Sequence, residues 1–241
     1  MIEPNNIYLG DCYELIKDVP DKSVDLVYVD IPYLFTSHGA GTSELADRAT
    51  KRNIELIISD ERYLKSKGQS NAEALRIAKN ANKRNNNLIS LEDGIDYSIF
   101  NEYRRVLKKL NIFVWCSKLQ IIDILNYFSQ FGMYEILVWC KTNPIPVTNN
   151  IWLPDVEYCL YFREKGIKLN NDYNLKSKYY ISSANVEDKH NYLHPTIKPI
   201  ELVKKHIKHT TDRGGGSFRY LYGKRNYLQS LSGVRQKIYW F

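Results

Sequence analysis

The chain has 241 residues, 44% of them hydrophobic, and 34 Lys and Arg against 27 Asp and Glu give a formal net charge of +7. That is enough apolar material for one large or two small folded domains, and no apolar stretch approaches the roughly 20 residues a membrane-spanning helix needs. The start, Met1-Ile2-Glu3-Pro4-Asn5-Asn6, has neither the basic nor the apolar region of a secretory leader, so a cytoplasmic protein without membrane association is expected.

Ile7-Tyr8-Leu9 reads as a short strand with Asp11 just past its end, Cys12 to Val19 as a helix, and Val24 to Val29 as the next strand. Residues 34 to 95 lose this apolar pattern and become rich in Asn, Lys, Arg, Ser and Gly, which marks an insertion. Within it, Asn71 to Asn82 suits a helix with Leu75 and Ala78 on one face and Arg76, Lys79 and Lys83 on another. That face is either solvated or follows a phosphate backbone. The regular pattern then returns: helix Ser98 to Leu107, strand Ile112 to Cys116, helix Lys118 to Phe131 and strand Tyr134 to Trp139. Strands alternating with helices predict an α/β fold on a parallel sheet. Glu157 to Phe162 is a further strand, on its own best read as part of a core hairpin. Residues 163 to 193 are polar and Tyr-rich, with Tyr173, Tyr179 and Tyr180 either packing anchors or a recognition surface. Pro199 opens a helix from Ile200 to His209. Cys12, Cys116, Cys140 and Cys159 lack the close pairing of a zinc site, so neither metal nor disulfide is expected.

The most informative run is Val24-Asp25-Leu26-Val27-Tyr28-Val29-Asp30-Ile31-Pro32-Tyr33. A buried strand that ends in Asp and Pro places those residues at the carboxyl edge of a parallel sheet, where α/β folds hold their ligands. Asp30 can accept a hydrogen bond from an amino group and the Ile31 carbonyl can accept another, while Pro32 stiffens the turn and Tyr33 offers a ring for stacking. Such a set fits the amino edge of a flipped-out base, although an ordinary Asp-x-Pro turn has the same composition.

Four ordered segments, Gly10-Asp11-Cys12, Ser23 to Tyr33, Trp139-x-Lys141-x-Asn143-Pro144-x-Pro146 and His194-Pro195-Thr196-x-Lys198-Pro199, resemble the β-type amino DNA methyltransferases over most of residues 1 to 212 outside the insertion. The resemblance implies a Rossmann-like sheet, S-adenosylmethionine as cofactor, double-stranded DNA as substrate, and methylation of adenine N6 or cytosine N4. It makes residues 1–212 the catalytic domain, with 34–95 an insertion and 163–193 a target-recognition segment. By resemblance, Asp30, Ile31, Pro32 and Tyr33 are the catalytic motif, and Asp rather than Ser at its first position points to adenine. Asp11, Cys12, Lys198 and Pro199 border the cofactor. A restriction endonuclease is a partner of the kind such enzymes have. Methylation of cytosine N4, RNA or a protein amide, or a noncatalytic DNA-binding or association module, are the competing readings; oligomeric state and target sequence are not legible.

The family pattern continues from this helix into a strand and a glycine-rich turn. Here the chain reads Ser217-Phe218-Arg219-Tyr220-Leu221-Tyr222-Gly223-Lys224-Arg225-Asn226-Tyr227 instead. One base out of frame, Arg219 to Tyr227 can spell Asp-Thr-Phe-Met-Gly-Ser-Gly-Thr-Thr, and the same offset turns Ile238-Tyr239-Trp240-Phe241, taken with a TGA stop, into Phe-Ile-Gly-Phe-Glu. Residues 213–241 are therefore expected to be a frameshifted tail, with the family's strand and glycine-rich turn after residue 212 missing, cofactor binding weakened and activity impaired; a divergent but functional cofactor loop is the competing reading. Consistent with this, Arg213, Arg219, Lys224, Arg225, Arg235 and Lys237 lie in that tail without one acid, leaving only +1 on the rest.

Overall fold

The computed structural model describes residues 6–8, 11–34, 95–144, 146, 150, 152–183, 198–210, 219–222 and 237–240. The chain divides into two compact units, one made of Met1–Ile31, Asp96–Val147 and Trp152–Phe241, the other of Pro32–Ile95 and Thr148–Ile151. The helix expected over Asn71 to Asn82 and the motif residues His194, Pro195 and Thr196 lie outside the described residues. In the second unit, Pro32 and Tyr33 are half-buried and Leu34 is exposed.

Eight strands of the first unit form one sheet: β1 (Asn6–Ile7), β2 (Leu26–Asp30), β3 (Asn111–Cys116), β4 (Met133–Lys141), β5 (Val156–Arg163), β6 (Tyr179–Ser182), β7 (Arg219–Tyr222) and β8 (Lys237–Trp240). Their spatial order is β1-β8-β7-β2-β3-β5-β4-β6. Helices α1 (Cys12–Leu15), α2 (Ile99–Val106), α3 (Ile121–Phe128) and α4 (Ile200–Thr210) accompany it. Every residue of β2 and β3 is buried, as continuous apolar runs require when a strand is covered on both faces. The two run parallel with Asp30 beside Trp115.

Successive residues of a strand point to opposite faces, and the aromatics show which helices cover each. Tyr161 stacks on Phe113 at 4.3 Å, and Phe113 stacks on His206 of α4 at 4.8 Å. Its neighbour Phe162 meets Phe128 of α3 at 4.9 Å on the other face, and Phe128 meets Phe100 of α2 at 5.0 Å. The sheet thus lies between α4 and the α2–α3 pair, a three-layer α/β arrangement.

One expectation is corrected. The sheet is not parallel throughout: β5 runs antiparallel to both β3 and β4 and is inserted between them. The connection from β4 to β5 carries Pro144, Pro146 and Pro154 and no described helix, so the chain returns beside β4 instead of crossing over to a parallel position. Gly132 makes the close approach possible, because a Cβ there would collide with the Arg163 carbonyl oxygen. After residue 212 the chain adds β7, parallel to β2, and β8, which extends the sheet from β7 to β1. Tyr220-Leu221-Tyr222 and Ile238-Tyr239-Trp240 are strong strand formers, so strand propensity persists even where the family's residues do not. The turn that follows β7 lies outside the described residues.

Candidate active site

Asp30 is the last residue of β2, and the ladder continues one step further as the Ile31 N–H donates to the Trp115 carbonyl at 3.3 Å. Trp115 is beside Cys159 of β5, Cys159 shares a face with Glu157, and Glu157 is beside Trp139, two residues before Lys141. The two-residue period therefore sets Asp30, Trp115, Glu157 and Lys141 on the face that α4 covers. Lys198, two residues ahead of α4, places its ammonium among them.

The Lys198 Nζ lies 3.0 Å from Asp30 Oδ1 and 3.1 Å from Oδ2, and 3.0 Å from Glu157 Oε2. Lys141 Nζ reaches the other Glu157 oxygen at 2.6 Å. Side-chain exposure is 2% for Lys198 and 5% for Asp30, and rises to 15% at Glu157 and 20% at Lys141. The result is an alternating chain of two carboxylates and two ammonium groups, which is how charges persist away from water. Burial alone would push the Glu157 carboxyl up, but Lys198 and Lys141 overcome it and hold it at about 2. Lys198 also sits 5.1 Å over the Trp115 ring, and Lys141 5.3 Å from Trp139, both at cation–π distance. Cys116, next to Trp115, is pushed up to about 12 by burial and by the Asp30 charge, so it is a thiol and no nucleophile at neutral pH.

Beneath this cluster, the Trp115 indole N–H donates to the Tyr28 hydroxyl at 2.9 Å, and that hydroxyl shares a 3.2 Å hydrogen bond with His206 Nδ1. Burial, aided by the nearby Lys205 and His209, lowers His206 to about 3, so it is a neutral member of the core. Just beyond β3, the Ser117 Oγ is buried without a hydrogen-bond partner among the described residues.

The residues singled out from sequence are therefore distributed as follows. Asp30 and Lys198 are brought into direct contact, whereas Asp11 and Cys12 stand at the start of α1. There Asp11 caps the helix by accepting from the Tyr13 N–H at 2.8 Å. Burial, then the Asp11 charge, raises the half-buried Cys12 thiol. Ile31 and Pro199 are buried, and Pro32 and Tyr33 belong to the second unit. Sequence reasoning missed Glu157 altogether and quoted Lys141 only within a motif. The available signal for Glu157 was a lone acid opening an otherwise aromatic and apolar strand. Among the described residues no group of three or more His, Cys, Asp or Glu is arranged to hold a metal, and no helix is long and apolar enough to cross a membrane.

Residues 24–216 match the model of the N6/N4 DNA methylase family. The chain belongs to that family. A curated relative, the Type II methyltransferase M.HinfI of Haemophilus influenzae, is 25% identical over 150 residues, which is 59% of this chain and 33% of that protein. The chain thus spans about a third of the length of the relative it matches. Among solved structures, the cytosine-N4-specific PvuII DNA methyltransferase superposes with a TM-score of 0.61 at 13% identity, covering all of this chain and 84% of the other. The M1.HpyAVI–SAM complex gives a TM-score of 0.55 at 16% identity, covering 99% and 92% of the two chains. Both structures share the α/β fold described above.

Proposed function

We propose that the chain acts on double-stranded DNA and methylates the N6 amino group of adenine, with Asp30 as the group that holds the amine. The observation carrying this reading is the position of Asp30: an acid at the carboxyl end of a central parallel strand, on a face lined by Trp115. Its carboxylate and the Ile31 carbonyl accept the two amine hydrogens, point the nitrogen lone pair, and stabilise the positive charge that develops on nitrogen. Tyr33 stacks on the extruded base and offsets part of an unstacking cost on the order of a few kcal/mol, and Pro32 fixes the turn between them. Asp in place of Ser at the first motif position favours adenine over cytosine N4.

S-adenosylmethionine, when bound, supplies an electrophilic methyl group on sulfonium sulfur. Asp11 and Cys12 at the start of α1 and Lys198 and Pro199 ahead of α4 are the residues expected to border it. The fit is incomplete, because the sequence after β7 offers Gly223-Lys224-Arg225-Asn226 where close backbone approach calls for several glycines. We accordingly expect weak cofactor binding and low turnover from this chain, with residues 213–241 out of frame with the family.

Residues 1–212 form the catalytic part in this reading, and 34–95 and 163–193 read the DNA. In the latter segment Tyr173 and Tyr179 are 85% and 58% exposed, which suits contact with a partner surface. A restriction endonuclease of the same sequence specificity is the companion this reading implies, and the cytoplasm is where both would meet DNA. The test is product analysis. Mixed-sequence duplex DNA is incubated with methyl-labelled cofactor and the protein in both reading frames, then digested to nucleosides. Labelled N6-methyl-2′-deoxyadenosine supports the proposal, and labelled N4-methyl-2′-deoxycytidine or unlabelled DNA in both frames refutes it. Calorimetric titration with the cofactor separately tests its binding, and micromolar affinity in the present chain overturns the expectation of weakness.

A further inference from the structure

The Asp30 carboxylate is closed. Its side chain is 5% exposed, and one ammonium lies within hydrogen-bond distance of both its oxygens, at 3.0 and 3.1 Å. Those are the separations at which an NH2 group donating to the same oxygens would sit. An amine that donates to the same two oxygens from the same side competes with Lys198 for them.

We propose that Lys198 is a stand-in for the substrate amine, and that Glu157 is the seat to which it withdraws when a base arrives. This rests on the reading of Asp30 as the amine-binding group. Glu157 Oε2 is 3.0 Å from the same Nζ, so the ammonium can leave Asp30 without losing an ionic partner. Glu157 is itself held as a carboxylate through the 2.6 Å contact of its other oxygen with Lys141. The Trp115 ring at 5.1 Å gives the cation a second surface along the way. A lysine suits this task because its charge is compact and its stem flexible, whereas the planar fork of an arginine would fix the carboxylate in one geometry. The displaced ammonium keeps its three protons throughout, and no covalent bond changes. In the resting protein the ammonium compensates the buried Asp30 charge, at the cost of competition with the substrate.

A rigid support role for Lys198 predicts the opposite signs, which makes the two separable. The probe is adenosine, titrated calorimetrically, with N6,N6-dimethyladenosine as a comparator that has no N–H to donate. With Lys198→Met the competitor is gone, and adenosine is expected to bind about tenfold more tightly, the value of one hydrogen bond to a charged group. With Glu157→Gln the withdrawn position loses its charge, and adenosine is expected to bind several-fold more weakly. Neither change alters the affinity of the dimethylated comparator. Because Lys198→Met exposes two carboxylates to each other and can unfold the protein, Glu157→Gln carries the test on its own if it does. Weaker adenosine binding by Lys198→Met, or unchanged or tighter binding by Glu157→Gln, overturns the stand-in role and leaves Asp30 as the amine site. Absence of saturable adenosine binding in the parent chain and both variants removes the amine site as well, and the stand-in role with it.

Discussion

The buried imidazole of His206 makes the stability of this protein depend on acid in a calculable way. Its ring stacks on Phe113 and shares a hydrogen bond with Tyr28, and burial lowers its pKa from 6.5 to about 3. In the unfolded chain the same ring protonates as the pH falls through 6.5, whereas the folded protein refuses the proton until near 3. The unfolded state thus binds more protons across that window, so stability declines as pH is lowered through it. Between pH 7 and pH 5 one such site costs about 2 kcal/mol, at roughly 1.4 kcal/mol per pH unit once the unfolded group is titrating. Stopping at pH 5 keeps the Glu157 contribution out, since that carboxyl has an ordinary value of 4.5 and a folded value of about 2, and its share is lost only as pH falls through that lower range. The assay is urea unfolding followed by circular dichroism at both pH values, in the parent protein and in His206→Phe. The variant is expected to lose a pH-independent amount for the broken hydrogen bond, and its pH 7 to pH 5 difference is expected to shrink by about 2 kcal/mol. Equal pH differences in the two proteins would show that His206 is protonated or solvated in the fold, and the reasoning would fail.

Four further outcomes are expected. Gly132→Ala drives a methyl group into the Arg163 carbonyl oxygen where β4 begins, and should cost about 1–3 kcal/mol in the same unfolding assay, as overpacking does. Phe100→Ala, at the fully buried junction of α2 and α3, should cost about 3–5 kcal/mol. Arg105 donates to the carbonyls of Val19 and Ile16 at 2.8 Å each while its Nε holds Glu102, so Arg105→Lys should lose about 1–3 kcal/mol despite keeping the charge, with hydrogen exchange near α1 accelerated. Asp30→Asn should lower methyl transfer in the frame-restored protein by roughly 10²–10³-fold with little change in DNA retention in a gel shift, the size of loss seen when one preorganised charged group is removed.

Much of the architecture was open to reading from local pattern, because β2 and β3 are continuous apolar runs and α2 repeats Ile99, Phe100, Tyr103 and Val106 at helical spacing. Strand direction was not. Nothing in Glu157 to Phe162 says which way the strand runs, since that is set by the connection before it, whose described residues contain no crossover helix. Asp30 was legible because strand, acid, proline and tyrosine are consecutive, but its ionic partner lies 168 residues away in the chain. Glu157 was illegible for the same reason: its importance comes from the register of β5 against β3 and β4, not from its neighbours in sequence.

The charged quartet also acts on how the sheet is put together. A slip of β5 by one residue would turn Glu157 to the opposite face of the sheet and bring Tyr158 opposite Lys198, parting the acid from both ammonium groups. Hydrophobic contacts alone tolerate such an error rather well, since Tyr, Cys, Leu and Phe alternate along the strand. The ion chain does not, so it serves as a proofreader of strand alignment: only the correct pairing of segments from four distant parts of the polypeptide lets every charge find its opposite.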